Sequence, residues 1–415
     1  MKKSAIIIIM LFLLNLNIRF TYANPAKIAP PQINAKNAVV MDYETGQILY
    51  DKNGHIKVYP ASTTKVLTAI LALEKGNLDD TVTASKNAAN VEGSKIYLSE
   101  GEQLKLRQLL YAMMVESAND AAVAIAEYIG GSVENFANMM NEKAQQIGAK
   151  DSHFVTPNGL HDPDHYTTAY DMALIARYAM KNQFFRELVN TITYVIPPTN
   201  KFKEKRVLLN TNMLIRPTKY HYDGADGIKT GYTSEANKCL LATAMRNDRR
   251  VIVAIYDDDS SIIWKDATDL LNYGLDNFIT KTYIHKGDYV KKIPIDGTTA
   301  YVDLKAAQDF IYTVPTDKAD SIKAHIKIKN IKVPINKGQR LGYISYELDG
   351  KEIGKVNLIA DRAIKANILS NLYSSSSKNA IDNDLLRQLE KWIYWGILAP
   401  GAFILGFWIK KRKTK

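Results

Sequence analysis

The chain of 415 residues is long enough for two or three domains, each with a buried core. Apolar residues make up 46% of it and charged residues 23%, which excludes an intrinsically disordered chain. The formal net charge of +11 would favour a nucleic acid or a membrane surface as partner. However, residues 1–23 carry three basic side chains and residues 410–415 carry five, both without an acid, so the chain between them carries only +3. This argues against nucleic-acid binding and indicates that the terminal charges set membrane topology.

The N-terminus has the three parts of a secretory signal peptide. Two lysines follow the first methionine, residues 5–14 are apolar, and the small residue Ala23 stands where cleavage is expected. An uncleaved anchor helix is the alternative, but polar residues between 15 and 19 stop the apolar run before it reaches spanning length. We therefore expect residues 1–23 to be removed and residues 24–37 to form a leader.

The C-terminus has the pattern of a membrane anchor. Residues 392–409 include no charged side chain, and a helix of this length measures about 27 Å, which matches one hydrocarbon core. The basic residues 410–415 predict a cytoplasmic tail, with the rest of the chain on the outer (periplasmic or extracellular) side of the cytoplasmic membrane. Pro400 weakens the span, so a helix lying in the membrane interface is the alternative. Residues 369–391 are interpreted as a linker to the anchor.

Between these ends, the first predicted element is a β-hairpin around a Glu44-Thr45-Gly46 turn. Helical spacing of apolar residues then dominates from about residue 62 to residue 190, and glycines mark three predicted helix ends, at residues 76, 130–131 and 148. Three predicted strands and a helix follow, at residues 226–233, 239–245, 249–256 and 264–278. Strands, then helices, then strands predict an α+β domain over residues 38–278, in which an antiparallel sheet shares its core with a helical subdomain.

From about residue 283 the sequence changes to short β-rich runs separated by Lys-Gly, Asp-Gly and proline-containing turns. This predicts a small all-β domain over residues 283–368. Cys239 is the single cysteine, so an internal disulfide is impossible and the cores alone must stabilise both domains. Because Cys239 lies in an apolar run, it is interpreted as a small core residue.

Three short motifs of polar residues follow one another along the first domain. They are S-x-x-K at Ser62 to Lys65, S-x-N at Ser117 to Asn119, and K-T-G at residues 229–231. Each is weak alone, since S-x-x-K recurs at residues 375–378 and S-x-N at residues 85–87. K-T-G occurs once, and the order of the three motifs predicts one site built around a serine nucleophile.

Ser62 and Lys65 are three residues apart, so on a helix their side chains lie on one face. Ser62 follows Pro60 at a helix start, where free backbone N–H groups favour developing negative charge. A desolvated lysine of lowered pKa can take the proton of a serine hydroxyl and make the oxygen a nucleophile. The alternative is that Ser62 caps the helix and Lys65 is solvated in its first turn.

The other two motifs supply polar groups in confined places. The second falls between two apolar helices, where the Ser117 hydroxyl and the Asn119 amide could relay a proton and orient a substrate amide. A helix cap is the alternative there. In the third, Lys229 and Thr230 can hold a carboxylate, and Gly231 permits close approach of a substrate backbone. The alternative for the third motif is a solvated edge strand.

With these motifs the chain resembles the D-alanyl-D-alanine carboxypeptidases, low-molecular-mass penicillin-binding proteins of the serine-type, penicillin-recognising hydrolase family. The resemblance covers about residues 33–278 and includes four further segments: Met41-Asp42-Tyr43, Val155 to Leu160, Thr167 to Ala173, and Asp226-Gly227-Ile228. It implies a β-lactamase/transpeptidase-like fold, a function in peptidoglycan biosynthesis, cell-wall biogenesis and cell shape, and no cofactor or metal. Residues 283–368 resemble the family's C-terminal domain, which a membrane anchor usually follows.

The resemblance also implies the chemistry of the first two motifs. Ser62 would attack the carbonyl of the terminal D-Ala-D-Ala bond of a peptidoglycan stem pentapeptide and release D-alanine, with Lys65 as its base. Ser117 and Asn119 would relay the proton and position the acyl chain. β-Lactams would acylate the same serine as substrate mimics and act as inhibitors.

For the third motif, the resemblance implies that Lys229 and Thr230 bind the terminal carboxylate of the substrate. The backbone N–H groups of Ser62 and Tyr232, the residue after Gly231, would form the oxyanion hole, often the largest single contribution to such catalysis. Water would then hydrolyse the acyl-enzyme.

One position departs from the family pattern. Many relatives carry a basic residue, also aimed at the carboxylate, just before an aromatic residue that matches Trp264. Here that position is Ile263, and the basic residue nearby is Lys265. The affinity for the carboxylate, or the way it is bound, is therefore expected to differ.

Three other functions compete with this interpretation. The run from His161 to His165 offers possible metal ligands, although so compact a run more often lines a loop. A class A β-lactamase shares the motifs but needs no second domain or anchor, and its E-x-x-x-N is not matched, since Glu187 and Asn190 are three apart. A wall-binding scaffold with a degenerate centre is disfavoured because every polar motif side chain is present.

Overall fold

The computed structural model describes residues 29–259, 261–296, 300–329 and 331–365. The predicted signal peptide, linker, anchor and basic tail lie outside these residues. Within them, no helix combines the length and the apolar character needed to cross a membrane.

The chain divides into two compact units. The first runs to Lys281 and also includes Ile311–Asp320, whereas the second comprises Thr282–Phe310 and the chain from Ser321 onward. Residues 311–320 thus belong to the first unit, although they follow the start of the predicted all-β domain.

The strands are numbered in chain order: β1 Asn37–Asp42, β2 Ile48–Lys52, β3 Thr81–Thr83, β4 Gln103–Lys105, β5 Thr193–Ile196, β6 Arg206–Leu209, β7 Ala225–Thr233, β8 Asn237–Arg246, β9 Arg249–Asp258, β10 Phe278–Ile284, β11 Tyr289–Pro294, β12 Tyr301–Ala306, β13 Phe310–Pro315, β14 Lys323–Ile328, β15 Arg340–Leu348 and β16 Lys351–Ala360. The α-helices are α1 Lys65–Lys75, α2 Lys86–Asn90, α3 Leu106–Val115, α4 Asn119–Gly130, α5 Val133–Ile147, α6 Ala169–Ala179, α7 Gln183–Asn190 and α8 Ile263–Asp276. Short 3-10 helices cover Ala61–Thr64 and Thr316–Lys318.

The central sheet of the first unit has the strand order β2-β1-β9-β8-β7 with antiparallel pairing. Successive side chains of β9 point to opposite faces. One set packs into the core formed with α1 to α7: Ile252, Ala254 and Tyr256. The other set packs against α8: Val251, Val253 and Ile255. The sheet is therefore buried on both faces, and the predicted α+β domain is confirmed.

Most of the predicted elements of the first unit are present. The hairpin is β1 with β2, the three later strands are β7, β8 and β9, and the final helix is α8. Helices α1, α4 and α5 end at the predicted glycines. Two small antiparallel sheets of two strands each, β3 with β4 and β5 with β6, are not predicted by the sequence. Each of these strands buries a single residue, so its alternation is too short to be distinguished from a loop.

The second unit contains an antiparallel sheet of order β11-β12-β16-β15-β14. Its own core is made by apolar residues of the inner strands, among them Val302, Leu304, Ile344, Val356 and Leu358. The predicted small all-β domain is therefore confirmed.

Cys239 lies on β8 within the core of the first unit and is 1% exposed. Burial raises the pKa of its thiol to about 12. The interpretation of Cys239 as a core residue is confirmed, since a thiol with such a pKa is protonated and unreactive at neutral pH.

Candidate active site

Ser62 lies in the 3-10 helix Ala61–Thr64, which runs directly into α1. Ala61 has a φ of +47°, a conformation that residues other than glycine adopt infrequently. This tight turn brings Lys65, the first residue of α1, close to the serine, and its Nζ donates a 2.8 Å hydrogen bond to Oγ of Ser62. The structure thus pairs the two side chains of the first motif, as predicted.

Lys65 has no exposed surface, and its Nζ donates two further hydrogen bonds of 2.7 Å, to Oδ1 of Asn119 and to the carbonyl oxygen of Asn158. Burial, followed by the positive charge of Lys229, holds the pKa of Lys65 well below its usual value, against an opposing effect of Asp120. Lys65 is therefore not the solvated first-turn residue of the alternative interpretation. Its lowered pKa and its contact with a hydroxyl suit a general base.

The S-x-N motif connects the end of α3 to the start of α4, between two buried helices as predicted. Ser117 is buried there with a φ of +67°, a strained conformation for a non-glycine residue and one that often marks a functional site. Asn119 is fixed at both ends of its amide, because Oδ1 accepts from Lys65 while Nδ2 donates to the carbonyl oxygen of Glu92 at 2.7 Å. Neither side chain caps the helix.

The K-T-G motif lies in β7, which among the described strands is at the edge of the central sheet. Lys229 is 1% exposed, and its Nζ donates a 3.0 Å hydrogen bond to the carbonyl oxygen of Thr230. Burial lowers the pKa of Lys229 to about 7, against an opposing effect of Glu116. Oγ1 of Thr230 lies 2.6 Å from Oγ1 of Thr211. The edge strand of the alternative interpretation is present, but its lysine is not solvated.

Gly231 lies against the turn that carries Ser62. A Cβ at this position would be 3.1 Å from the backbone nitrogen of Ser62 and 3.1 Å from Cβ of Ala61, closer than nine in ten such contacts in proteins. Glycine therefore lets β7 approach the nucleophile directly. The next residue, Tyr232, is 59% exposed and stands at the rim.

A cleft of about 360 Å³ brings the three motifs together. Five of the predicted site residues line it: Ser62, Ser117, Thr230, Gly231 and Tyr232. The other three are buried beneath this lining: Lys65, Asn119 and Lys229. All predicted site residues are thus assembled in one place, with the hydroxyls at the surface and both lysines below it.

A larger cleft, of about 770 Å³, lies elsewhere on the first unit. Its lining includes Tyr59, Tyr166, Glu235 and Asp257 but none of the motif side chains. Size does not decide between the two clefts, because only the smaller one holds a serine hydroxyl bonded to a buried lysine.

The loop from His161 to His165 supports the turn that carries Ser62. His165 is 2% exposed, and its Nδ1 accepts hydrogen bonds from the backbone N–H groups of Val155 and Thr156, at 2.9 and 3.1 Å. Nε2 therefore carries the proton and donates to Oγ1 of Thr64 at 2.9 Å. Burial lowers the pKa of His165 to about 4, which favours this neutral form. In the described part of the chain, no three His, Cys, Asp or Glu residues are grouped as metal ligands.

The sequence does not reveal two residues that contribute to the site. Asn158 accepts a hydrogen bond from Lys65 through its backbone carbonyl, and Thr211 pairs with Thr230. The Pro157-Asn158-Gly159 turn was visible in the sequence, but a backbone acceptor has no side-chain signature. Thr211 lies far from the motifs in sequence and carried no signal.

Residues 24–260 match the peptidase S11 family, described as D-alanyl-D-alanine carboxypeptidase, and this match covers more than half of the chain. The chain belongs to the peptidase S11 family. Residues 278–366 match the C-terminal domain of penicillin-binding protein 5. These two matches support the predicted order of domains, a transpeptidase/β-lactamase-like domain followed by a small all-β domain.

Relatives in this family are similar over most of their length. D-alanyl-D-alanine carboxypeptidase DacF of Bacillus subtilis is 35% identical over 341 residues, which covers 80% of this chain and 86% of that protein. D-alanyl-D-alanine carboxypeptidase DacD of Escherichia coli is 33% identical over 370 residues, covering 84% and 92%.

Solved structures of peptidase S11 relatives show the same fold. Penicillin binding protein 5 from Haemophilus influenzae matches with a TM-score of 0.71 at 32% identity, covering 82% of this chain and 100% of that one. The DD-transpeptidase of Streptomyces K15 matches with a TM-score of 0.57 at 33% identity, covering 60% and 100%.

Ile263 stands at the position where this S11 chain departs from the family pattern, and its surroundings in the structure are apolar. Ile263 is 3% exposed, packs in the core between α8 and the sheet, and forms part of the cleft lining. Lys265 is exposed, and its Nζ lies 2.5 Å from Oδ2 of Asp269 on the same helix. Neither residue supplies a free positive charge to the cleft.

Proposed function

We propose that this chain is a serine-type D-alanyl-D-alanine carboxypeptidase that removes the terminal D-alanine from peptidoglycan stem pentapeptides. The observation that carries the proposal is the 2.8 Å hydrogen bond between Nζ of Lys65 and Oγ of Ser62. A fully buried lysine of lowered pKa beside a serine hydroxyl at a cleft is the arrangement that makes serine a nucleophile.

In the acylation step, Oγ of Ser62 attacks the carbonyl carbon between the two D-alanine residues while neutral Lys65 takes the hydroxyl proton. The tetrahedral intermediate then expels the terminal D-alanine, whose amine receives that proton, and leaves an acyl-enzyme. Ser117, which lines the cleft, would relay the proton, and Asn119, which accepts a hydrogen bond from Lys65, would hold that lysine in position. Water hydrolyses the ester and regenerates Ser62.

The third motif binds and polarises the substrate in this proposal. The Thr230 hydroxyl contacts the terminal carboxylate, and the buried Lys229 adds positive charge behind it. The N–H groups of Ser62 and Tyr232 stabilise the oxyanion. Because β7 is an edge strand of the described sheet, its outer backbone groups can pair with an extended peptide.

Penicillins are expected to enter by the same route, since binding of β-lactams is typical of the family. The β-lactam carbonyl would take the place of the peptide carbonyl and leave Ser62 acylated. Slow turnover of this acyl-enzyme would separate the chain from a β-lactamase of the same fold.

The test compares D-alanine release from a stem-pentapeptide mimic by the wild type and by Ser62→Ala. We expect the substitution to reduce release by about a thousandfold or more, because it removes the nucleophile. Exposed Ser99→Ala is the matched control and should behave as wild type. A wild type that releases no D-alanine would favour a scaffold, and rapid hydrolysis of a chromogenic cephalosporin would favour a β-lactamase.

The termini suggest where the reaction takes place. We propose that residues 1–23 direct export and that residues 392–409 anchor the chain in the cytoplasmic membrane, with the first unit outside. N-terminal sequencing of the mature protein should begin at Asn24. Truncation after residue 391 should move the protein from the membrane fraction to the soluble fraction, and a truncated protein that stays in the membrane fraction would contradict the anchor.

A further inference from the structure

Lys238 shares a face of the sheet with the substrate-binding part of the site. In the antiparallel pairing of β7 with β8, Tyr232 lies opposite Lys238 and Thr230 opposite Leu240. Opposite residues and residues two apart point to the same face of a sheet, so these four side chains are neighbours. All four line the 360 Å³ cleft that also contains Ser62. Lys238 is therefore diagonal to the Thr230 hydroxyl, at a separation a lysine side chain can bridge.

The ammonium of Lys238 lies beside the Tyr232 ring at this cleft, and Asp258 is opposite Lys238 in the pairing of β8 with β9 without forming an ion pair with it. Its Nζ lies 4.8 Å from the centre of the Tyr232 ring, a position in which the face of the ring stabilises a cation. Among the residues that the structure describes, no carboxylate oxygen lies within the 4.0 Å of an ion pair with it. Lys265, in contrast, is paired with Asp269. An ammonium group that has no ion-pair partner at a substrate cleft is suited to bind an anionic group of the substrate.

The cleft receives only part of a positive charge from its other lysine and none from the residues of α8 that line it. Lys229 lies beneath the surface and already donates to the carbonyl oxygen of Thr230. With a pKa of about 7, it carries only part of a positive charge at neutral pH when the site is empty. On the other side of the cleft, α8 presents Ile263, which cannot neutralise an anion.

We propose that Lys238 is a specificity-determining residue that pairs with the C-terminal carboxylate of the substrate beside the Thr230 hydroxyl. In this chain, Lys238 on β8 supplies the positive charge that a basic residue at position 263 on α8 would otherwise supply. The inference rests on the proposed function for the identity of the substrate, but not for the location of the anion-binding position.

The test measures D-alanine release by the full-length protein from diacetyl-L-lysyl-D-alanyl-D-alanine and from the same peptide with a C-terminal amide. Lys238→Ala should raise KM for the free acid about fivefold to tenfold, with kcat little changed, because a charged hydrogen bond to the ground state and transition state is lost. The amide, which has no carboxylate, should be processed equally by both proteins. Lys238→Arg should restore most of the loss, and Lys265→Ala should match the wild type.

A second measurement tests the role of Lys238 independently of the proposed carboxypeptidase activity. The rate of acylation of Ser62 by benzylpenicillin, which carries a carboxylate, should fall about fivefold to tenfold in Lys238→Ala, whereas the rate with its methyl ester should not change. This comparison can be made even if no D-alanine is released. Equal effects on acid and ester would indicate a merely structural residue and overturn the proposal, as would a KM and an acylation rate within about twofold of wild type.

Discussion

At the scale of single residues, the site depends on two lysines that are both removed from water. Lys65 and Lys229 are each at most 1% exposed, and each loses affinity for its proton mainly through burial. The charge of Lys229 further disfavours a charge on Lys65. In the proposed reaction these shifts suit two tasks, because the lowered pKa of Lys65 favours a neutral base and Lys229, with a pKa of about 7, retains part of a positive charge for the substrate.

The pKa of Lys229 leads to a prediction for the pH dependence of substrate binding. Lys229 is protonated below its pKa of about 7 and neutral above it, and a carboxylate is attracted only by the protonated form. KM for D-alanine release should therefore rise as pH increases through the neutral range, measured from about pH 6 to about pH 9. In Lys229→Ala the rise should be absent. A KM of the wild type that stays constant over this range would contradict the assignment.

At the scale of elements, the turn that carries Ser62 is fixed by packing against the loop of residues 155–160. Gly159 has a φ of +82°, and a Cβ at this position would lie 1.8 Å from the carbonyl oxygen of Ala61. Asn158, the preceding residue, accepts a hydrogen bond from Lys65, and Pro157 accepts one from Thr68 of α1. The loop thus positions the base as well as the turn.

Gly159→Ala should therefore disturb both stability and catalysis. We expect a loss in the free energy of unfolding of more than about 2 kcal/mol, because backbone must move to admit the methyl group. Acylation of Ser62 by labelled penicillin should also slow. Gly131→Ala is the matched control, since its φ is +74° but no atom lies within 4 Å of the added Cβ, so it should cost only about 1–2 kcal/mol of backbone strain. Equal unfolding energies and equal acylation rates for the two variants would exclude this role of the loop.

At the scale of the whole molecule, the two units have separate hydrophobic cores, and only one unit contains the predicted site residues. Every predicted site residue lies in the first unit, between Ser62 and Tyr232. The core of the second unit consists of residues from its own sheet. Stability and activity should therefore respond differently to substitutions in the two cores.

Leu358→Ala should show this separation. Leu358 is fully buried in the second unit, and its truncation should destabilise that unit by about 2–5 kcal/mol, measured by urea unfolding. At temperatures where the variant is folded, kcat/KM for D-alanine release should stay within about twofold of wild type. Leu241→Ala, equally buried on β8, is the comparison for a similar loss in the first unit. A large fall in kcat/KM in folded Leu358→Ala would show that the second unit contributes to the reaction.

The sequence was sufficient to predict the order of the motifs, the first hairpin, the later strands of the central sheet and the two domains. Each of these features depends on the spacing of residues that are close together in the chain. Strand alternation, helical periodicity and glycines at helix ends depend on residues that are close together in the chain. For the same reason, a spacing of three residues is enough to predict that Ser62 and Lys65 lie on one face of a helix. The same information was too weak for β3 to β6, which bury one residue per strand.

Only the tertiary structure decided how the motif residues act on one another. The lowered pKa values of Lys65 and Lys229 arise from burial under distant elements, and the partners of Lys65 include a side chain and a carbonyl far from it in sequence. The place of Lys238 likewise follows from the register of β7 with β8, which brings it opposite Tyr232. Desolvation and nearby charges depend on what surrounds a side chain in three dimensions. The motif residues could therefore be identified from the sequence, whereas their protonation and the way in which the cleft can hold an anion depend on the fold.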